Sequence, residues 1–145
     1  MVESNTIERV IVTGGLGYIG SHTVVELIES GYEPIIIDNL SNTNVRNLNG
    51  INEICGRYYN FHKVDCNDYE RIKNILEKTD NIVGLIHFAG YKSVEESINY
   101  PEKYFSNNIG SMNTLIQLCE ELEIQNFIFS SSCTIYGTPE ALPVN

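Results

Sequence analysis

The sequence predicts an α/β fold with a doubly wound parallel sheet of five strands and helices on both faces. Five short apolar runs alternate with helical patterns along the 145 residues, an order typical of parallel strands joined by crossover helices. The first run leads directly into four closely spaced glycines. The runs end in small or polar residues, at the edge of the sheet where ligands bind in such folds.

The composition is that of an ordinary globular domain, with 42% hydrophobic and 19% charged residues. The formal net charge of −10 disfavours nucleic acid and anionic membranes as partners, because both attract clustered Lys and Arg. An anionic cofactor remains open, since backbone N–H groups bind phosphate without a basic side chain. The first eight residues lack a signal-peptide pattern, and no run approaches the ~20 apolar residues of a membrane-spanning helix.

The four cysteines show neither a Cys-x-x-Cys pair nor the spacing of zinc ligands, so no metal site is predicted. Free thiols are typical of a reducing compartment, and we therefore expect a cytoplasmic protein.

The glycines lie at the junction between the first predicted strand and the first predicted helix. Three β-branched residues, Val10 to Val12, begin a strand, and the pattern after residue 20 is helical until Gly31. The glycines fall where a strand, a tight turn and a helix need a side-chain-free approach to a pyrophosphate. They are Gly14, Gly15, Gly17 and Gly20.

The other elements follow from apolar runs and helical spacing. Four further strands are predicted at residues 33–38, 58–64, 82–87 and 126–130. A polar connection over residues 39–49 is predicted to precede a short helix ending near Cys55. A capped helix begins near residues 67–70, and Pro101 opens a long helix. Their inward faces are predicted as Tyr69, Ile72, Ile75 and Leu76, and as Met112, Leu115, Ile116, Cys119 and Leu122.

Two acidic strand ends are candidate contacts for a dinucleotide. Asp38 follows Gly20 by 18 residues, where a carboxylate accepts both hydroxyls of an adenosine ribose and repels a 2′-phosphate, so NAD is favoured over NADP. The alternative is a solvated Asp at a strand end. Asp65 could accept from the adenine amino group or cap the following helix, and the sequence leaves both open.

Further candidates lie after the fourth and fifth strands. Phe88, Ala89 and Gly90 leave the backbone nearly bare, and Lys92 either extends over the diphosphate or nicotinamide ribose or is a surface lysine. Asn107 costs helix propensity, which hints at another role. The three consecutive hydroxyls of residues 130–132 suit hydrogen bonding to a reacting alcohol, or they form a plain polar strand end.

Several motifs together resemble the extended short-chain dehydrogenase/reductases. They are residues 13–22 (TGGLGYIGSH), residues 38–39 (DN), residues 87–90 (HFAG) with Lys92, and residues 129–137 (FSSSCTIYG). Within that superfamily the likeness is greatest to the UDP-hexose 4-epimerases, and it runs from Val10 to Gly137. It implies a Rossmann-like domain with a tightly held NAD that removes a hydride from C4 of a UDP-hexose and returns it to the other face.

The resemblance also implies a role for each matching residue. Ser132 matches the catalytic Ser/Thr that hydrogen-bonds the sugar 4-hydroxyl, and Lys92 and Asn107 would touch both substrate and cofactor. The cofactor contacts would be Gly14, Gly17, Tyr18, Ile19 and Gly20 at the diphosphate, Asp38 and Asn39 at the ribose, Asp65 and Cys66 at the adenine, and Phe88, Ala89, Gly90, Lys92, Asn107 and Ser130 around the nicotinamide half.

The sequence departs from the family pattern in three places. Cys133 stands where Ala is usual, and residues 91–96 (YKSVEE) replace a Leu-Lys-Ala-Val-Gly-Glu pattern. The general base of the family, a Tyr four residues before a Lys after the catalytic Ser, is not present. Two internal matches, Tyr59 with Lys63 and Tyr69 with Lys73, are predicted to be unrelated to catalysis.

We therefore expect residues 1–145 to be the incomplete NAD-binding domain of a longer polypeptide, inactive alone and without the lobe that binds the UDP-sugar. The resemblance suggests a homodimer for the full-length protein. Two alternatives stay open: another NAD-dependent nucleotide-sugar enzyme, such as a dehydratase or decarboxylase, and a non-catalytic NAD-binding module.

Overall fold

A computed structural model describes residues 7–138, and residues 133 and 134 without their side chains. The expectations for residues 1–6 and for the Cys133 side chain lie outside the described residues. The five parallel strands form one sheet in the order β3-β2-β1-β4-β5, as the predicted doubly wound fold requires. The strands are β1 (Arg9–Thr13), β2 (Glu33–Asp38), β3 (Phe61–Lys63), β4 (Ile82–His87) and β5 (Phe127–Phe129).

The helices connect successive strands. A π-helical turn, Phe105–Ile109, joins α5 to α6, and a short 3-10 turn covers Cys133–Tyr136. The α-helices are α1 (Tyr18–Glu29), α2 (Arg46–Cys55), α3 (Tyr69–Leu76), α4 (Val94–Asn99), α5 (Pro101–Tyr104) and α6 (Gly110–Glu121).

Two hydrophobic cores cover the two faces of the sheet. Because successive strand residues point to opposite faces, Val12 packs with α1 and α2, whereas Ile11 packs with α3 and α6. Val24 and Leu48 belong to the first core, and Leu115 belongs to the second. The prediction of helices on both faces is confirmed.

Local capping explains where the predicted helices begin and end. Asp68 starts α3 by accepting a hydrogen bond from the Arg71 N–H at 3.2 Å. Gly31 follows α1 with a φ of +90°, a conformation that glycine adopts without steric cost. The end expected for α1 near Gly31 and the bounds expected for β2 and β4 are confirmed.

Other boundaries differ from the sequence prediction. β3 and β5 are only three residues long, and α2 begins inside the polar connection predicted over residues 39–49. The helix expected from Pro101 is divided by the π-helical turn, and α4 precedes it. Ser93 starts α4 by accepting from the Glu96 N–H, while Tyr100 leaves the helical conformation just before Pro101, as residues preceding proline tend to do.

One predicted core position of α6 is wrong. Ile116 is 50% exposed, whereas Leu118 is fully buried. The buried stripe of α6 consists of Ser111, Leu115, Leu118 and Cys119, spaced as one helix face requires. Ile116 lies about 100° around the helix from Leu115, which turns it away from the sheet. Within residues 7–138, no helix is long and apolar enough to cross a bilayer.

Candidate functional site

A cavity of about 410 Å³ lies at the carboxyl ends of β1 to β4. This volume falls within the roughly 300–1,000 Å³ of typical small-molecule sites. Apart from Ser130, every residue predicted to contact the cofactor lines the cavity. These residues are Gly14, Gly17, Tyr18, Ile19, Gly20, Asp38, Asn39, Asp65, Cys66, Phe88, Ala89, Gly90, Lys92 and Asn107.

The glycine turn brings β1, α1 and the end of β4 into contact. Gly14 has a φ of +67°, and a Cβ atom there would lie 2.8 Å from the backbone nitrogen of Ala89. A Cβ atom on Gly20 would overlap the carbonyl oxygen of Gly14. Only glycine therefore permits this approach. No side chain in the described part of the chain caps the start of α1, and the first residues of this helix line the cavity. Uncapped N–H groups at a helix start are the donors that an anion site uses.

Asp38 is 5% exposed and holds the loop after β2. Its Oδ2 accepts from the Leu16 N–H at 3.1 Å, and its Oδ1 accepts from the Leu40 N–H at 2.9 Å and the Thr43 hydroxyl at 2.6 Å. A carboxylate offers about four acceptor positions, so one remains. The solvated carboxylate considered as an alternative is therefore wrong. The sequence did not reveal the Leu16, Leu40 or Thr43 contacts.

Asp65 is tied to the loop after β2. Its Oδ2 accepts from Asn39 Nδ2 at 2.8 Å, and its Oδ1 accepts from the backbone and side chain of Asn67 at 2.9 and 3.0 Å. Burial tends to raise the pKa of Asp65, but these hydrogen bonds outweigh burial and lower its pKa. The alternative of Asp65 as the cap of α3 is wrong, because Asp68 has that role.

Cys66 lies beside Asp65, and burial raises the pKa of its thiol to about 12. The thiol is therefore protonated at neutral pH and is not a nucleophile. Cys55, Cys66 and Cys119 are free. Among the described residues, no three His, Cys, Asp or Glu side chains are grouped to hold a metal ion.

Asn108 fixes the loop that follows β4. Its Oδ1 accepts from the Tyr91 N–H at 2.9 Å, and its Nδ2 donates to the Tyr91 carbonyl at 3.1 Å. The Asn107 amide donates to the same Oδ1 at 2.9 Å. Asn107 and Asn108 both belong to the π-helical turn, a feature that is frequent at functional sites. Lys92 is exposed along the same wall of the cavity.

Nine lining residues were missed by the sequence analysis. Two of them, Glu96 and Tyr104, belong to α4 and α5 and are joined by a hydrogen bond of 2.8 Å in which the Tyr104 hydroxyl donates to the Glu96 carboxylate. Tyr91 and Ser93 lie in the loop just before α4. The polar sequence after Asp38 was the available signal for the residues of the loop after β2. The nine are Ser41, Asn42, Thr43, Val64, Tyr91, Ser93, Glu96, Tyr104 and Ser111.

The serines after β5 lie apart from this cavity. Ser130 and Ser132 are exposed and are not among the lining residues. The Ser130 N–H donates to the His87 carbonyl at 3.1 Å, which extends the pairing of β4 and β5 by one residue. The roles predicted for these two serines therefore stay predictions.

The Tyr69–Lys73 match to Tyr-x-x-x-Lys lies on α3, where the tyrosine pKa shifts in the direction opposite to that of a catalytic base. Lys73 Nζ lies 3.2 Å from the Tyr69 hydroxyl, but both groups bind Glu121 of α6. The hydrogen bond to the Glu121 carboxylate raises the pKa of Tyr69, whereas a base needs a lowered one. Neither residue lines the cavity, and Tyr69 packs against the core as predicted.

The sheet order, the glycine turn and the acidic end of β2 define a Rossmann-like α/β domain with its ligand cavity at the strand ends. The chain belongs to the NAD dependent epimerase/dehydratase family, whose model matches residues 10–145.

Relatives and solved structures agree with this assignment. The chain is 47% identical over 137 residues to UDP-glucose 4-epimerase of Dictyostelium discoideum, which covers 94% of this chain and 40% of that protein. The Bacillus subtilis UDP-glucose 4-epimerase is 44% identical over 93% of this chain and 40% of its own length. The chain thus spans about 40% of these relatives.

The Bifidobacterium longum UDP-glucose 4-epimerase, crystallised with NAD+ and UDP, has a TM-score of 0.88 and 37% identity over 94% of this chain and 40% of that one. The Stenotrophomonas maltophila enzyme with bound NAD has a TM-score of 0.87 and 36% identity over 95% of this chain and 40% of that one. The predicted fold and family resemblance are confirmed.

Proposed function

We propose that the cavity at the strand ends binds NAD. The observation that carries the proposal is the joint position of the glycine turn and the buried Asp38 carboxylate on one cavity of about 410 Å³. A Cβ atom at Gly14 or Gly20 would collide with the backbone of Ala89 or of Gly14 itself, so only glycine allows the tight turn that offers bare backbone to a pyrophosphate. The carboxylate of Asp38 disfavours a 2′-phosphate and so favours NAD over NADP.

The positions of these groups indicate where each half of the dinucleotide binds. The adenosine ribose belongs at Asp38 and Asn39, with the adenine toward Asp65 and Cys66. The diol of the ribose would take the remaining acceptor position of Asp38 and the one now held by the Thr43 hydroxyl. The nicotinamide half then lies toward β4, where Phe88 to Gly90, Lys92 and Asn107 line the cavity.

We further propose that the complete protein interconverts UDP-galactose and UDP-glucose. UDP-glucose 4-epimerases are the relatives with 47% and 44% identity, and one solved neighbour contains both NAD+ and UDP. When bound, NAD supplies a hydride acceptor for C4 of the sugar and a donor for the opposite face. Ser132 would hydrogen-bond the 4-hydroxyl, and Lys92 and Asn107 would border the sugar and the nicotinamide.

The remaining parts of the reaction are proposed to lie further along a longer polypeptide. Support comes from the share of about 40% that this chain covers in its curated relatives. A Tyr-x-x-x-Lys motif downstream would supply the base, because a nearby lysine lowers the tyrosine pKa. Reading the coding sequence after Asn145 tests this directly. A reading frame without a downstream Tyr-x-x-x-Lys motif would favour a non-catalytic NAD-binding module.

The experiment for the activity compares the full-length protein with the chain of residues 1–145. We expect the full-length protein to convert UDP-galactose to UDP-glucose with no net consumption of NAD, and we expect no conversion by residues 1–145 alone. Ser132→Ala in the full-length protein should reduce turnover strongly and leave NAD affinity unchanged. Turnover by residues 1–145, or an unaffected Ser132→Ala variant, would contradict the proposal.

Two further proposals concern the assembly and location of the full-length protein. Phe105, Ile109 and Ile116 expose apolar surface along the π-helical turn and α6, which supports pairing of these helices in a homodimer. Ile109→Lys should then shift the full-length protein to a monomer in sedimentation velocity.

The free thiols of Cys55, Cys66 and Cys119 support a cytoplasmic location, which fractionation tests.

A further inference from the structure

His87 occupies a buried position directly behind the cavity and has no part in the roles proposed above. It is the last residue of β4 and is 1% exposed. Its Nδ1 lies 2.6 Å from the Thr13 hydroxyl at the end of β1, and its Nε2 lies 3.4 Å from the Ser111 hydroxyl in the first turn of α6. The ring stacks on Phe129 of β5 with centroids 5.7 Å apart. Three strands and one helix therefore meet at this imidazole.

The hydrogen-bond directions around His87 follow from its partners. Burial lowers the pKa of His87 to about 4, so the neutral ring has one N–H and one acceptor nitrogen. The Ser111 hydroxyl donates to the Asn108 carbonyl at 3.1 Å, which leaves its oxygen to accept from His87. The proton consequently lies on Nε2, and Nδ1 accepts from the Thr13 hydroxyl.

These bonds connect the sheet to the wall of the cavity. The Thr13 hydroxyl donates to His87, His87 donates to Ser111, and Ser111 donates to the backbone of Asn108. The Asn108 side chain in turn binds both backbone groups of Tyr91 and the amide of Asn107. One connection from β1 and β4 to the π-helical turn thus runs through this imidazole, beside the core packing of α6 and the bond from Asn67 Nδ2 to the Asn107 carbonyl at 3.4 Å.

We propose that His87 is a positioning residue that holds Asn107 and the loop at Tyr91 against the nicotinamide half of the cavity, through its hydrogen bond to Ser111. The inference rests on the proposed NAD site. It assigns no role to His87 at the adenosine half, because Asp38, Asn39 and Asp65 are held by bonds among the loops after β2 and β3. Variants of His87 should therefore weaken binding at the nicotinamide half and leave binding at the adenosine half unchanged.

The test compares the binding of NAD with that of ADP, which contains the adenosine and diphosphate but no nicotinamide. Isothermal titration of the full-length protein would be made with His87→Asn, His87→Gln and Ser111→Ala. Asn reaches only the position of Nδ1, whereas Gln extends a donor to the position of Nε2. His62→Asn is the matched control, because His62 is an exposed histidine of β3 outside the cavity.

We expect His87→Asn and Ser111→Ala to weaken NAD binding about tenfold, the effect of one lost hydrogen bond with a buried partner. ADP affinity should stay unchanged in both variants. His87→Gln should restore most of the NAD affinity, and His62→Asn should match the wild type for both nucleotides. Hydrogen exchange should accelerate in residues 105–109 of His87→Asn and remain unchanged in residues 39–45.

Several outcomes would overturn the inference. Equal weakening of NAD and ADP would make His87 a merely structural residue, and unchanged NAD affinity in folded variants would remove its role. If His87→Asn does not fold, Ser111→Ala decides by the same comparison. A wild-type protein that binds neither nucleotide overturns the proposed NAD site and this inference with it, whereas normal wild-type binding with unaffected variants overturns the inference alone.

Discussion

The cavity has two sides that differ in how completely the described residues enclose them. At the ends of β2 and β3, Asp38, Asn39 and Asp65 are bound to one another's loops by short hydrogen bonds. At the ends of β4 and β5, the outer strand leaves Ile128 58% and Phe129 51% exposed, and Ser132 lies outside the cavity. The first side is held by hydrogen bonds within the described residues, and the second borders the exposed edge strand β5.

The two sides correspond to the two proposed roles: cofactor binding on the β2 side and sugar chemistry on the β5 side. The groups proposed for the adenosine half are all fixed by contacts within the described residues. The group proposed for chemistry, Ser132, stands on the open side, where exposed apolar residues of β5 leave room for further protein to pack. The comparison agrees with the proposals that this cavity binds NAD and that catalysis needs a longer chain.

The largest effect is expected at Gly14, which both sides share. Gly14→Ala places a Cβ atom 2.8 Å from the Ala89 nitrogen at a positive φ, so the turn and the end of β4 must separate. We expect NAD and ADP affinity to fall more than about 100-fold, together with a loss of stability of about 3 kcal/mol.

The matched control for this prediction is Gly31→Ala. Gly31 also has a positive φ, but nothing lies within 4 Å of the added Cβ atom. The control should cost about 1 kcal/mol in urea unfolding and leave nucleotide affinity intact. Equal loss of affinity in both variants would show that backbone strain, rather than the close approach to Ala89, governs the site.

The next effect concerns the β4 side and the pH dependence of stability. His87 has a pKa near 6.5 when unfolded and about 4 when buried, so between these values the unfolded state binds more protons than the native state. The stabilisation is therefore complete above about pH 6.5 and is lost as the pH falls to about 4, with a total of about 3 kcal/mol.

Urea unfolding of the wild type and of His87→Gln between pH 7 and pH 4 measures this contribution. The residues facing the ring, Thr13, Ser111, Phe127 and Phe129, do not titrate in this range, and the Cys66 thiol beyond Thr13 has a pKa of about 12. The wild type should lose stability relative to His87→Gln as the pH falls. If the free energies of unfolding of the two proteins change in parallel with pH, His87 does not have the lowered pKa expected from its burial.

A smaller effect is expected from Asp38, which ends β2. Asp38→Asn replaces a charged acceptor by a neutral amide, and we expect NAD and ADP affinity to fall together by about 10- to 100-fold. Asp80→Asn is the control, because Asp80 forms an exposed ion pair with Arg9 away from the cavity. Unchanged NAD affinity in a folded Asp38→Asn variant would refute the ribose assignment.

The smallest effect is expected from the cluster of Tyr69, Lys73 and Glu121 between α3 and α6. Lys73→Met should slightly lower the urea midpoint, since Lys73 bridges α3 and α6 at the surface. It should leave NAD and ADP affinity unchanged, because the cluster lies outside the cavity. Any loss of nucleotide binding in this variant would mean that the helix pair supports the site after all.

Much of the sheet was predictable because its signals are local. The apolar runs of β2 and β4 have their predicted bounds, and the helix with Tyr69, Ile72 and Leu76 on its inner face forms as expected. Ile116 shows the limit of this reasoning. Apolar spacing identifies candidates for a buried face, but the packing of α6 on the sheet decides which of them is covered.

The sequence by itself determined the fold class and the glycine turn, since strand ends of a parallel sheet meet at one edge. Together with the family resemblance that its motifs carry, it also predicted fourteen of the residues that line the cavity. Tertiary structure alone decided how these residues are held. Asn39 binds Asp65 across 26 positions, and Thr13 binds His87 across 74. Contacts of this kind depend on three-dimensional packing, so no local pattern of residues could specify them.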